Sequence, residues 1–284
     1  MKTWMYYYIP FSARIEDMLI EHNIAYQKDS SWDDHLKFEF YKENAPWEKI
    51  KDILPPPNVT EFVFSKKELE QAKWLTMRST NMKFDSMNEK TIRYYCPNNV
   101  QQKVKSGFHE EQILPFEFST VKWKNNNHFY SSYTGGYEII FCDDYAKNIL
   151  QENNISGIRF DPVLKFKKGI PLENVSQLVF ENILGEDALI LDKEVTPLFC
   201  PTCGKKKYSY TRNFRLTIQE SCLDEDMDCY ATPCIFSLGN SYGISPYLIV
   251  SQKIYTVLKE AELIRNLKFE PIILVPNDTE DGSL

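Results

Sequence analysis

Two cysteines separated by two residues, Cys200-Pro201-Thr202-Cys203, followed at once by Gly204, form the sharpest chemical motif in the sequence. As thiolates such a pair holds one metal ion from a tight knuckle, and the glycine supplies the backbone freedom that the turn demands. A structural zinc site needs two further ligands. Upstream, Cys96-Pro97-Asn98-Asn99 has the same form, with asparagine, a poor zinc ligand, where the second cysteine would stand. A complete site therefore requires Cys96, Cys200 and Cys203 to converge with a fourth group, for which Cys229 is the candidate and Cys222 and Cys234 are alternatives. Thiol redox chemistry instead places Cys-x-x-Cys at the start of a helix just after a strand. Here Lys205 to Tyr210 reads as the second arm of a zinc-ribbon hairpin, which favours the metal.

The remaining reactive side chains form no recognisable set. The four histidines, His22, His35, His109 and His128, are scattered, and neither His109-Glu110-Glu111 nor Asp33-Asp34-His35 has a third member at a telling spacing for acid–base work. No G-x-S-x-G elbow, phosphate-binding glycine loop or H-E-x-x-H helix is present, so the expectation is a non-enzymatic protein. The acidic run from Glu220 to Asp228 lacks the spacing and glycine of a calcium loop and reads as a solvated segment or one that faces a basic partner. Tyr130, Tyr133 and Tyr137 around Gly135-Gly136, and Tyr230, Phe236 and Tyr242 in the second half, could present rings to a partner or pack on their own sheets.

The elements that must position these groups are legible in part. Residues 4–9 read as a strand, Ser12 caps a helix over 14–20, and Leu36 to Tyr41 alternates like a half-buried strand. A helix is expected over 46–54, stopped by Pro55-Pro56-Pro57. A strand follows over 59–64, and Ser65 with Glu68 has the capping-box spacing that opens a helix through Leu69, Ala72 and Trp74.

Further on, an internal repeat emerges at a constant offset of 109. Glu138 to Phe141, a helical stretch and Ile155 to Leu164 align with Tyr247 to Val250, a helical stretch and Ile264 to Ile273; Ile140/Ile249, Ile155/Ile264, Phe160/Phe269 and Pro162/Pro271 are identical. Each copy reads as strand, amphipathic helix, turn at Gly157 or Asn266, and a second strand headed by a core phenylalanine. The expected class is α/β to α+β, with duplicated strand-helix-strand units in the carboxy-terminal two-thirds. The expected division is an amino-terminal strand-helix region over 1–80, a first half over 81–175 and a second half over 176–284.

These features resemble the double-CXXCG-motif family, a largely uncharacterised bacterial group in which each half carries a Cys-x-x-Cys-Gly knuckle ahead of a β-α-β segment. The resemblance covers about residues 92–284 and rests on Cys200 to Gly204, the degenerate Cys96 to Asn99, Ile155 to Phe160 and Leu267 to Pro271; residues 1–80 lie outside it. It implies a role beside polymorphic toxins, as an immunity protein that binds and neutralises its toxin.

Composition is compatible with that role. Forty-three per cent hydrophobic and 26% charged residues are ordinary for a globular chain, while 14% aromatic residues, 17 Tyr and 18 Phe among them, supply core filling or binding anchors. A net charge of −7 disfavours phosphate backbones and favours a basic protein partner, such as a secreted toxin domain. No signal peptide or membrane span is legible, and the odd count of seven cysteines fits reduced thiols or a metal site in a cytoplasmic protein. The competing expectation is a zinc-ribbon module that binds nucleic acid or acts as a regulatory adaptor. The short basic runs Lys165 to Lys168 and Lys205 to Tyr208 give it weak support.

Overall fold

Along β1 (Lys2–Pro10), Met5, Tyr7 and Ile9 point into a core while Trp4, Tyr6 and Tyr8 point the other way, the period of two that a pleated strand imposes. The computed structural model describes residues 1–29, 34–55, 57–80, 92–94, 110–112, 114–119, 121–123, 126–134, 137–191, 195–199, 206–210, 215–233, 235–238 and 244–276. The chain forms two compact units, Met1–Glu68 and Leu69–Leu284. The division falls inside a short helix rather than at residue 80.

In the first unit β1 leads into α1 (Ala13–Glu21), β2 (Tyr26–Asp29), β3 (His35–Tyr41), α2 (Trp47–Ile50), β4 (Val59–Val63) and the start of α3 (Lys66–Gln71). The strands lie in the order β2-β3-β1-β4 with every neighbouring pair antiparallel. This is the β-α-β-β-α-β path of the ferredoxin-like split arrangement. Both helices serve one face: Met18 and Leu19 of α1 and Ile50 of α2 close a core with Met5, Tyr7, Ile9, Leu36 and Phe38. Tyr7 is fully buried, stacked on Phe38 at 4.7 Å, and burial pushes its hydroxyl pKa up to about 12.

Two local expectations are corrected. The helix expected over 46–54 is regular only from Trp47 to Ile50; Ile53 and Leu54 N–H still donate to the Ile50 carbonyl at 3.0 and 3.1 Å, and the proline at 55 bars any continuation beyond that turn. The capping box is real, with Ser65 N–H donating to Glu68 Oε2 at 2.8 Å and Glu68 N–H donating to Ser65 Oγ at 3.3 Å. Its helix, however, ends at Gln71, and Trp74 begins a strand.

The second unit continues from α3 through β5 (Trp74–Ser79), β6 (Ile92–Tyr94), β7 (Glu110–Gln112), β8 (Glu117–Phe118), β9 (Phe129–Thr134), β10 (Tyr137–Cys142), α4 (Asp144–Glu152), β11 (Ile158–Lys165) and β12 (Pro171–Phe180). It then runs through β13 (Val195–Phe199), β14 (Lys206–Tyr210), β15 (Thr217–Gln219), β16 (Cys229–Ala231), β17 (Ile235–Leu238), β18 (Ile244–Ser245), β19 (Leu248–Ser251), α5 (Gln252–Glu260), β20 (Leu267–Pro271) and β21 (Ile273–Val275). Strands dominate and the helices are few and short, an α+β to mainly-β architecture. The boundary expected at 175/176 cuts through β12, whose ten residues form one strand.

Two sheets carry the main core of this unit. One has the order β8-β11-β12-β10-β9, the other β16-β19-β5-β20. In the first, β10 passes through α4 to β11, and β12 lies between the two strands, antiparallel to both. In the second, β19 passes through α5 to β20, and β5 fills the corresponding gap, antiparallel to both. Ala146 and Leu150 of α4, Ile254, Tyr255 and Leu258 of α5, and Ile140, Leu178, Leu75, Met77, Val250 and Phe269 from the sheets share one cluster. Phe269 is buried in it and Phe160 packs against it. Each Leu, Ile, Val, Met or Phe side chain in it that is taken from water contributes roughly 1.5–3 kcal/mol.

The constant offset does not hold through this region. The helices begin at Asp144 and Gln252, 108 positions apart, whereas Phe160 and Phe269 are 109 apart. The extra residue enters in the turn. Asn154 and Glu262 both have positive φ, but the first chain path then turns at Gly157, φ 79°, and the second through the 3-10 turn Ile264–Asn266.

Candidate functional site

The arrangement with the clearest capacity for recognition is the outer face of the first unit's sheet. Because both helices cover the opposite side, alternate residues of β1 and β3 stand on a face that no helix of that unit overlies. Register sets the rows: Trp4 opposite Tyr41, Tyr6 opposite Glu39, Tyr8 opposite Lys37 and Pro10 opposite His35. On the other side of β1, Lys2 is opposite Val63 and Trp4 opposite Glu61. Trp4, Tyr6, Tyr8, His35 and Tyr41 are half-buried, while Lys37 and Glu39 are exposed.

The rings are ordered against one another. Trp4 and Tyr6 stack with centroids 6.0 Å apart, and Tyr8 and His35 lie at 4.7 Å with planes 8° apart. Cations rest on two of them, Lys2 Nζ at 5.6 Å from the Tyr41 centroid and Lys37 Nζ at 5.9 Å from that of Tyr6. The strand beneath is pinned where Tyr8 N–H donates to Asn58 Oδ1 at 2.6 Å and Thr3 N–H donates to Glu43 Oε2 at 2.8 Å. Aromatic side chains held this way present broad contact area with little rotamer entropy left to lose.

Of the expected metal ligands, Cys96, Cys200 and Cys203 lie outside the described residues, as do Cys234 and His109. The strands on either side of the Cys200 to Cys203 stretch, β13 and β14, pair antiparallel from Val195↔Tyr210 to Phe199↔Lys206, as the ribbon-hairpin expectation requires. Likewise β6 and β7 pair antiparallel on either side of Cys96. Cys229 is fully buried in β16, its Sγ 3.5 Å from the Ser156 carbonyl oxygen, and burial pushes its thiol pKa up, which disfavours the thiolate a metal needs. Cys222 is partly exposed in a 3-10 turn. Among the described residues no three His, Cys, Asp or Glu side chains gather as a metal set.

The acidic run proves to be divided. Asp228 is buried and structural: its carboxylate accepts from Ser156 N–H at 2.9 Å, Ser251 Oγ at 3.0 Å and Lys253 Nζ at 2.9 Å, joining the turn before β11 to the start of α5. Burial alone would raise its pKa, but these donors outweigh it and hold the carboxylate below its ordinary range. Glu220 pairs with Lys73 at 2.8 Å and Glu225 approaches the same ammonium at 3.9 Å; Asp224, Glu225 and Asp226 are exposed. Tyr130 and Tyr230 are buried, the first donating to the Lys122 carbonyl and the second accepting from Asp224 N–H, so both pack on their own sheets.

One histidine–carboxylate pair went unnoticed in the sequence, His128 Nδ1 lying 2.8 Å from Asp143 Oδ2. Asp143 Oδ1 caps α4 by accepting from Ala146 N–H at 2.9 Å, and His128 packs against Tyr145 with ring centroids 5.2 Å apart. Both members therefore have structural employment at the start of α4. The outer aromatic face is only half legible in the sequence: Trp4, Tyr6 and Tyr8 share one face of a strand whose other face is also largely apolar, which does not say which of the two stays open.

No protein-family model and no curated protein matches this chain. Among the described residues no helix is long and apolar enough to cross a membrane.

Proposed function

We propose that this chain is a non-enzymatic binding protein whose recognition element is the outer aromatic face of β1 and β3. In the setting that the family resemblance implies, it serves as a cytoplasmic immunity protein that binds and neutralises a polymorphic toxin. The observation carrying this reading is the ordered array of Trp4, Tyr6, Tyr8 and Tyr41 interleaved with charged residues. Trp and Tyr anchors with charge at their rim are the composition of protein interfaces, where a few such residues carry most of the affinity. A duplicated strand-helix-strand origin for the carboxy-terminal region belongs to the same reading. Its support is the matching arrangement in space, β10 and β11 flanking β12 as β19 and β20 flank β5, with Asp143 and Ser251 both at the N-cap position of the intervening helix.

The test is co-expression with the product of the adjacent gene. Growth rescue and co-elution are expected from the unaltered chain, and a Trp4→Ala/Tyr41→Ala variant that keeps its circular dichroism spectrum is expected to lose both. Rescue that persists in this variant, or no rescue at all, counts against the reading.

The antiparallel pairing of β13 with β14 favours a second one, a zinc ribbon serving a nucleic-acid-binding or adaptor function. Cys200 and Cys203 would then hold the ion, with Cys96 completing three thiolates. Metal analysis of protein purified without chelator is expected to return about one zinc per chain, falling on Cys203→Ser substitution. Metal-free protein with an unchanged melting curve for Cys203→Ser removes this reading.

A further inference from the structure

The partner's chemistry can be narrowed, and this step rests on the protein-binding reading above. We infer that the outer face of β1 and β3 receives an arginine-bearing segment of a basic protein, with guanidinium planes stacked on Trp4 and its neighbouring rings and paired with Glu39.

Three observations carry it. First, this face already seats cations on its rings: Lys2 lies over Tyr41 and Lys37 over Tyr6. Trp, the ring with the strongest attraction for a cation, has none over it among the described residues at Trp4, although it stacks on Tyr6. Second, Glu39 stands directly opposite Tyr6, is exposed, and makes no ion pair among the described residues. A carboxylate beside a stacked ring pair is the geometry that holds a guanidinium by its plane and by its edge together. Third, the charge balance has the matching sign. Residues 1–68 contain nine Lys and Arg against twelve Asp and Glu, a net of −3 within a chain of −7. On the face itself Glu39 and Glu61 offset Lys2 and Lys37, so no excess of positive charge gathers there for a phosphate backbone, and single-stranded nucleic acid, which also stacks on aromatic sheets, is the disfavoured occupant.

Arginine is preferred to lysine on physical grounds. Its guanidinium is planar, weakly hydrated and able to stack and hydrogen-bond at once, whereas an ammonium is a compact and strongly hydrated point charge.

The experiment titrates the full chain with a synthetic peptide bearing arginine at alternate positions. Parallel titrations use the same peptide with citrulline or lysine in those positions, and a single-stranded oligouridylate. The arginine peptide is expected to bind about tenfold more tightly than the citrulline form and about threefold more tightly than the lysine form. Glu39→Gln and Trp4→Ala are each expected to weaken it by about three- to tenfold, and added salt to weaken it further. Glu39 is exposed, so Glu39→Gln tests the pairing without challenging the fold. Equal affinity for the citrulline peptide, tighter binding of oligouridylate, or indifference to Glu39→Gln overturns the inference. If the arginine peptide fails while Trp4→Ala/Tyr41→Ala still abolishes growth rescue, only the arginine chemistry falls. If rescue also survives that variant, the protein-binding reading falls with it.

Discussion

Alanine in place of Gly157 is expected to destabilise the 69–284 unit by about 2–4 kcal/mol, seen as a lowered urea midpoint with unchanged slope. Gly157 closes the turn between α4 and β11 at φ 79°, a conformation that costs any L side chain. An added Cβ would also lie 2.4 Å from Asn182 Nδ2 and 3.1 Å from both the carbonyl oxygen and Sγ of Cys229. Asn182 cannot swing away without loss, because its amide donates to the Cys229 carbonyl. Gly169 is the internal control. Its φ is 63° and a Cβ added there would meet nothing within 4 Å, so Gly169→Ala meets only the backbone cost, about 1 kcal/mol. Similar losses at the two sites would mean that the close approach to β16 has no energetic weight.

The second large effect is expected at Asp228. Removing this buried carboxylate with Asp228→Ala leaves Ser156 N–H, Ser251 and Lys253 without their acceptor and should cost about 3 kcal/mol or more. Lys253 is about half exposed, so screening discounts the ionic part, and the hydrogen bonds to Ser156 and Ser251 carry most of the loss. The pH dependence has a definite sign. The folded-state pKa of Asp228 lies below its unfolded value, so its contribution is complete above about pH 4 and is lost as pH falls through the folded value. Urea titrations should show the wild type losing stability over that acid range more steeply than Asp228→Asn. Parallel acid profiles would show that the carboxylate's charge contributes nothing.

Local signals in the sequence were reliable where chemistry acts at short range. Ser65 and Glu68 cap one another as their spacing requires and Leu36 to Tyr41 is a strand, while Ser12 stands at the N-cap of α1 without a side-chain capping bond. What failed was decided at long range. The helix opened by the capping box is expected to run through Leu69 and Ala72 to Trp74, yet residues 74–79 form a strand because β19 and β20 supply backbone partners on both sides. The offset of 109 between Phe160 and Phe269 does not extend to the helices, which begin 108 positions apart, because the turn before β20 is one residue longer than the turn before β11. For the candidate site, both faces of β1 carry large side chains that are mostly apolar, Trp4, Tyr6 and Tyr8 on one and Met5, Tyr7 and Ile9 on the other. With no polarity contrast between faces, only the helices on one side reveal which face stays open. Buried Cys229 and Asp228 looked like loop chemistry in sequence because their neighbours in the acidic run are solvated; their surroundings come from Ser156 and β19.

The position of β5 sets the timetable by which the second unit can assemble. Its two neighbours, β19 and β20, begin at Leu248 and Leu267, so Ser79 leaves the ribosome 169 residues ahead of the first of them. At ordinary elongation rates that interval is roughly 10–35 s, during which Trp74, Leu75 and Met77 have neither a hydrogen-bonding partner on either side nor a finished core to enter. β5 is thus the earliest made strand of this sheet and the last to be sandwiched, and closure of the sheet waits until β20 has been made.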